Sequence, residues 1–532
     1  MSAERKYLFG ILSLALALRA ITLARIDPVA FDSALYFEIA GLIQTSRWAE
    51  AMAYPFPPLY PALIAALASA GMIPDAAGLV VSFSTGVLIM FPLLSLTRAL
   101  AGERAALWAA FLWAIHPYAI RLSVRALSDM PAAFLVALSL WAGLRGLQSG
   151  RYGWAIGAGA LSGLAYLTRP EGIESALGLA ALSAFTLASS LGKRGLSNGF
   201  RPFLRQAGWV VAPLLGWAVV AAPYVAFISL EAGAITFSKK KSPAAMVRSI
   251  TPGDKIETAG FRSTSSQEGA SAKITESLPD AAEIPKTGWV QRTARNIYVF
   301  QQPFLNGIHL IILLPALLAP WLLRTNRTSE QAGIAGLLLG LTLLHLIVLV
   351  GVAALQGAVY LGGHHVFLMV LYLTPFAGAG LAAAFDRAST KAPGARWAPA
   401  ATAALLIAVT LPSSVFRRPE SGKVFRTAGL WIRDHSAAPP TVITNSPKLA
   451  YHAGARRVPL SGDAKSIVDL ARRTGADFIA FEPGSTGAPS GDFHGQVESG
   501  ALEVAETFSE RSRSKVYTVV VYRVRQAVRG ER

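Results

Sequence analysis

The sequence predicts an all-α polytopic membrane protein that carries a small α/β domain at its C-terminal end. Of its 532 residues, 53% are hydrophobic and only 15% are charged, too apolar a balance for a soluble chain of this length. Apolar runs close to the ~20 residues that cross a hydrocarbon core recur as far as about residue 415. Beyond that point the runs become short and β-rich around a single helical pattern.

About eleven spans are expected, near residues 7–25, 79–97, 105–121, 130–146, 153–169, 173–192, 207–230, 304–323, 332–353, 366–385 and 398–415. The third to fifth are short and rich in Gly and Ala, which suits helices packed closely against neighbours. Lys and Arg fix the orientation. One set of short loops holds Arg5, Lys6, Arg98, Arg104, Arg145, Arg151, Lys193, Arg194, Arg324, Arg327, Arg387 and Lys391 against few acids, so it is expected in the cytoplasm. The opposite first loop, 26–78, has Arg47 as its only base beside Asp27, Asp32, Glu38, Glu50 and Asp75. An odd number of spans then puts the N-terminus inside and the C-terminal domain outside. The formal net charge of +18 is mostly a record of this topology and not a nucleic-acid footprint. The expected partners are the bilayer and its lipids, and no nucleic acid.

The first apolar run follows Arg5 and Lys6 as a signal peptide would. It lacks a small-residue cleavage site and is expected to remain as an anchor. The chain has no cysteine, so disulfides and thiolate metal sites are excluded. The expected domains are a membrane core over 1–415 and an outer domain over 416–532. Strands are expected at Thr441–Thr444, Asp477–Phe481 and Val516–Tyr522, with a helix at Ala464–Arg473. The loop 231–303, rich in Ser, Thr, Lys and Glu, reads as a mobile outer excursion.

Every segment rich in acids, His, Pro and aromatics falls on the outer side. The first outer loop runs Ile26-Asp27-Pro28-Val29-Ala30-Phe31-Asp32-Ser33 into an amphipathic helix and continues to Tyr54-Pro55-Phe56-Pro57-Pro58-Leu59-Tyr60-Pro61. Asp32 has two readings there, as a base at the membrane face or as the cap of a helix starting at Ser33. The second outer turn carries His116-Pro117, Arg121, Arg125 and Ser128-Asp129-Met130-Pro131, where Asp129 is either functional or an ordinary helix start. The two arginines could meet phosphate or snorkel to headgroups. The third turn is Thr168-Arg169-Pro170-Glu171-Gly172. Arg169 there could meet an anion, or Pro170 and Glu171 could simply open the next helix. Before the tenth span stand Gly362-Gly363-His364-His365, a phosphate or proton-handling pair or else a polar helix entrance. Two His without a third ligand in register do not make a metal site, and no metal ligands are assigned.

With Arg19 late in the first span, Asp32 and the Pro-Pro-Leu-Tyr-Pro segment, the chain resembles the polyprenyl-phosphate-sugar-dependent glycosyltransferases of the GT-C fold. Within them it is similar to the protein-mannosyltransferase and aminoarabinose-transferase-like membrane enzymes of bacteria. The order and spacing match over roughly 8–385. The resemblance implies an enzyme of the bacterial inner membrane that moves a sugar from a polyprenyl-phosphate donor to an outer glycan, lipid or protein acceptor, with inversion. It implies Asp32 as the catalytic base, with Asp129 as a second acid orienting acceptor or donor. It implies phosphate or donor contacts by Arg169, Glu171, Arg19, His364, His365 and Lys240, and acceptor or loop contacts by Glu38 and Tyr60. Many relatives carry a second acid beside the catalytic one, where Ser33 stands here, which leaves a divalent metal undecided and Glu38 as a substitute. No other cofactor is implied. The alternative is a polytopic transporter or lipid flippase. Such proteins place ionisable groups near the midplane on broken helices, whereas the acids here gather at one face.

Overall fold

The computed structural model of the chain describes residues 3–194, 200–239, 301, 304–322, 328–356, 363–391, 397–415, 422–460, 464–483, 493–512 and 515–525. It divides into two compact units. The first holds the apolar helices, and the second holds the C-terminal region together with the stretch Val29–Leu35.

The apolar helices are α1 (Ala3–Leu23), α2 (Phe31–Gln44), α3 (Trp48–Ala53), α4 (Leu59–Ser69), α5 (Pro74–Leu88), α6 (Met90–Ile115), α7 (Pro117–Ser123), α8 (Asp129–Ser149), α9 (Tyr152–Tyr166), α10 (Glu174–Arg194), α11 (Phe200–Ala232), α12 (Leu310–Leu322), α13 (Ser329–Gln356), α14 (Phe367–Lys391) and α15 (Ala398–Ser414). A helix stands at each expected span. Among the described residues, seven apolar stretches are long enough to cross a membrane by length and composition. One of them, Pro74–Ile115, merges two expected spans. Gly102 breaks the helical geometry inside it with φ of 84°, a backbone conformation that costs glycine nothing.

Short helix α9, with 15 residues, reaches only ~22 Å at 1.5 Å per residue and owes its place to neighbours. A Cβ on Gly159 would stand 2.0 Å from the Pro213 carbonyl oxygen, so α9 and α11 touch backbone to backbone. The Gly/Ala character expected for this span thus serves close approach. The central core gathers Trp113, Met130, Leu140, Phe367, Tyr372 and Phe376 from α6, α8 and α14.

Two hydrogen bonds tie interhelical turns of this unit to one another. The Leu59 amide donates to the Leu167 carbonyl at 2.9 Å, and the Ala126 amide to that of Pro28 at 3.1 Å. His116 caps α7: its Nδ1 accepts from the Ala119 amide at 3.2 Å, so Nε2 carries the hydrogen and donates to the Ile308 carbonyl at 2.9 Å.

The C-terminal region contains a five-stranded sheet in the order β2-β1-β3-β5-β4, with β1 Thr441–Ile443, β2 Arg456–Val458, β3 Phe478–Phe481, β4 Leu502–Ser512 and β5 Lys515–Val524. β1 lies parallel to β2 and β3, and β5 runs antiparallel to β3 and β4. Alternation along β3 sends Phe478 and Ala480 to a core with Val424, Ala428 and Ile432 of α16 (Lys423–Asp434). Ile479 and Phe481 go to the other, with Ile467, Val468 and Ala471 from the helix at Ala464–Thr474. The strands expected at 441, 477 and 516 are present within a residue or two. Asp477 lies just before β3, where its carboxylate accepts from the Thr441 amide at 2.7 Å. Strand β4, an edge carrying Glu503, Glu506, Glu510 and Arg511, escapes the sequence reading because charge suits an exposed edge and hides its β character.

Candidate active site

The turn after α9 shapes the site. Arg169 precedes Pro170, which drives it out of the helical region to φ −151° and ψ 137°. Its side chain, 15% exposed, reaches back to the N-terminus of α8, where Nη1 donates to Asp129 Oδ1 at 3.0 Å. On the other side Nη2 lies 3.5 Å from Glu171 Oε1. Asp129 is 5% exposed and occupies the first turn of α8, where the helix dipole favours a carboxylate.

These three residues line one cavity with Ala132, Gly172, His345, His364, His365, Phe367 and Leu368. Five residues singled out from separate stretches of sequence, Asp129, Arg169, Glu171, His364 and His365, therefore meet. The two histidine rings lie 4.0 Å apart between centroids in a short 3₁₀ turn, Gly363–Val366. Arg169 is held between two carboxylates, which orients the guanidinium but offsets its charge.

His345, itself on the cavity lining, belongs to a polar group that sequence reasoning missed. His345 Nδ1 lies 2.7 Å from Glu174 Oε1, His345 Nε2 lies 2.6 Å from the His365 carbonyl oxygen, and the Tyr372 hydroxyl donates to Glu174 Oε2 at 3.2 Å. His345 sits in the middle of an apolar span and Glu174 at the start of another. An ionisable residue within a span was the available signal.

Asp32 does not cap α2. The helix begins at Phe31, two residues before Ser33, and Asp32, half-buried, stands inside its first turn. Ser33 takes the capping role, its Oγ accepting from the Ala30 amide at 2.9 Å. Arg19, late in the first span, is fully enclosed among α1, α5, α6 and α7. Tyr60 is equally enclosed, and its hydroxyl contacts the Gly78 carbonyl and Ser82 Oγ, each at 3.0 Å. Glu38 is half-buried and accepts from the Tyr54 hydroxyl at 3.1 Å. Lys240 and most of the loop 231–303 lie outside the described residues. Lys239, just before, donates to the Met52 carbonyl and pairs with Glu231 at 2.5 Å. Burial pulls its ammonium below the usual lysine range, and Glu231 acts against that shift. Among the described residues no three His, Asp or Glu side chains converge as metal ligands.

Residues 56–217 match the family of dolichyl-phosphate-mannose-protein mannosyltransferases, a stretch that contains Asp129, Arg169 and Glu171. The chain is a membrane glycosyltransferase of the lipid-phosphate-sugar-dependent kind. No curated protein sequence matches it. Among solved structures, the transferase resembles ArnT from Cupriavidus metallidurans bound to undecaprenyl phosphate, at 15% identity and a TM-score of 0.55, over 99% of this chain and 99% of that one. It also resembles the Archaeoglobus fulgidus oligosaccharyltransferase in its apo form, at 14% identity and a TM-score of 0.52, over 90% of this chain and 69% of that one. The same archaeal enzyme in complex with zinc and sulfate aligns at 14% identity and a TM-score of 0.51, over 89% of this chain and 68% of that one. These likenesses give the transferase a GT-C fold.

Proposed function

We propose that the transferase moves a sugar from a polyprenyl-phosphate donor to an extracytoplasmic lipid, glycan or protein acceptor, with inversion at the anomeric carbon. The observation that carries this reading is the cavity, whose two acids and arginine fall inside the stretch 56–217 that matches the mannosyltransferase family. The undecaprenyl phosphate bound to the ArnT structure supports a donor of that class. In this reading the core, 1–415, crosses a bacterial inner membrane eleven times, starting in the cytoplasm, and the domain 416–532 stands outside.

The chemistry assigned to each residue follows from its type. An ionised Asp32 accepts the proton of the attacking hydroxyl or amine. Arg169, oriented by Asp129 and Glu171, meets the departing phosphate together with His364 and His365, and Lys240 and its neighbours approach the donor from the long loop. Asp129, closest to Arg169, also orients the acceptor or donor sugar.

The test is transfer by the purified protein in detergent, with a panel of radiolabelled polyprenyl-phosphate sugars and a crude extract of membrane lipid and glycan. Label should reach an acceptor with the wild type, and Asp32→Asn should lose on the order of 10²- to 10⁴-fold in rate while folding normally. Near-wild-type turnover by that variant removes Asp32 from the mechanism. Absence of transfer from every donor removes the transferase chemistry itself.

A further inference from the structure

Glu174, His345 and Tyr372 are titratable, buried and unused by the mechanism above. Their side chains come from α10, α13 and α14, three helices far apart in sequence. Those of His345 and Glu174 are 1% and 6% exposed. The contacts are directional. A backbone carbonyl only accepts, so the 2.6 Å contact to the His365 oxygen requires a hydrogen on His345 Nε2. The 2.7 Å contact between Nδ1 and Glu174 Oε1 then requires one more proton, held by either the ring or the carboxyl group. Tyr372 occupies the other carboxylate oxygen and sets its plane. The chain of contacts ends on the carbonyl of His365, a residue that lines the same cavity as Arg169.

We propose that His345, held at Nδ1 by Glu174 and Glu174 held by Tyr372, is a positioning residue that fixes the His364–His365 turn at the donor-phosphate side of the cavity. The proposal rests on the transferase reading for its effect on donor use, but its structural half does not. The 3₁₀ turn is only four residues long and lies at the mouth of α14. A turn that short holds its shape poorly alone. Partners of this outer kind around a site typically contribute 10- to 100-fold to ligand use when they orient the groups that touch the ligand.

The experiment pairs kinetics with a chemical probe that needs no activity. His345→Ala and Glu174→Ala should raise the donor KM about tenfold and leave the acceptor KM unchanged, because only the phosphate wall loosens. Glu174→Gln should stay within about twofold of wild type. Its amide donates to Nδ1, its carbonyl oxygen accepts from Tyr372, and the Nε2 hydrogen bond to His365 is kept. In parallel, carbethoxylation of His364 and His365 by diethyl pyrocarbonate, followed by mass spectrometry, should be several-fold faster in His345→Ala than in wild type. Equal modification rates in a folded His345→Ala protein overturn the proposal, as does a Glu174→Gln variant as impaired as Glu174→Ala. Faster modification in a protein that transfers no sugar, wild type included, upholds the positioning role and overturns the donor chemistry.

Discussion

Arg19 and Arg169 both close apolar helices, yet the structure gives them opposite surroundings. Arg19 is completely buried, and its guanidinium meets neutral acceptors on four helices: Ser123 Oγ at 3.1 Å and the carbonyls of Ala15, Ala114 and Gly86 at 3.2, 3.3 and 3.3 Å. Arg169 meets two carboxylates and lines a cavity. The difference separates two uses of the same side chain. A guanidinium bonded to several backbones ties helices together, whereas one held between acids on a cavity wall has its orientation set by those acids.

The largest effect expected from this contrast is on stability. Arg19→Ala removes donors from several buried acceptors and opens a void, at a cost of roughly 3–5 kcal/mol. Thermal unfolding in detergent should show it as a large fall in Tm. The fraction that remains folded should keep its donor KM. A normal Tm with a raised donor KM breaks the contrast, because Arg19 would then be reading the ligand.

Arg169→Ala should show the reverse pattern. Transfer should drop about 10²-fold, comparable to the loss of one preorganised donor at a developing anion, and a donor titration should expose a raised apparent KM. The fall in Tm should be smaller than that of Arg19→Ala. An unchanged donor KM removes Arg169 from the phosphate side of the cavity.

The contrast also marks how far the sequence could be read. Apolar runs placed a helix at every expected span, because hydrophobic length is a property of contiguous residues. The motif turns were legible for a similar reason: Thr168-Arg169-Pro170-Glu171 is a local reversal whose proline dictates where Arg169 leaves the helix. Which turns meet was not legible. Asp129 reaches Arg169 across 40 residues, and His345 reaches Glu174 across 171, through packing that no local pattern encodes. The enclosure of Arg19 was not legible for the same reason, since three of its four acceptors are carbonyls that every residue possesses. The Asp32 cap failed on finer grounds, two residues of helix start, because Ser33 can satisfy the Ala30 amide from inside the first turn.

Asp129→Asn sharpens the cavity side of the contrast. Asparagine can still accept from Arg169 Nη1, so the guanidinium stays near its place, but the negative charge is lost. If Asp129 handles the acceptor or donor sugar, kcat should fall about tenfold with the donor KM changed by less than about threefold. If it served only to offset the charge of Arg169, the donor KM should fall instead, because the wall becomes more positive by one unit. Steady-state kinetics at varied donor concentration distinguishes the two, and the second result reduces Asp129 to a charge partner.

The smallest effect belongs to the other arginine. Ser123 Oγ accepts from Arg19 Nε and donates to the Ala119 carbonyl at 2.6 Å, so it links the guanidinium to α7. Ser123→Ala leaves one N–H of a buried cation without that acceptor while the three carbonyls stay in place. The expected loss is about 1–2 kcal/mol, the cost of one unsatisfied buried donor. In combination with Arg19→Ala it should add almost nothing, since both substitutions remove the same contact. A double-mutant cycle on unfolding therefore decides whether Arg19 works through a shared network. Simple additivity of the two losses means that Ser123 stabilises α7 independently, and the interior node around Arg19 is then only a collection of separate bonds.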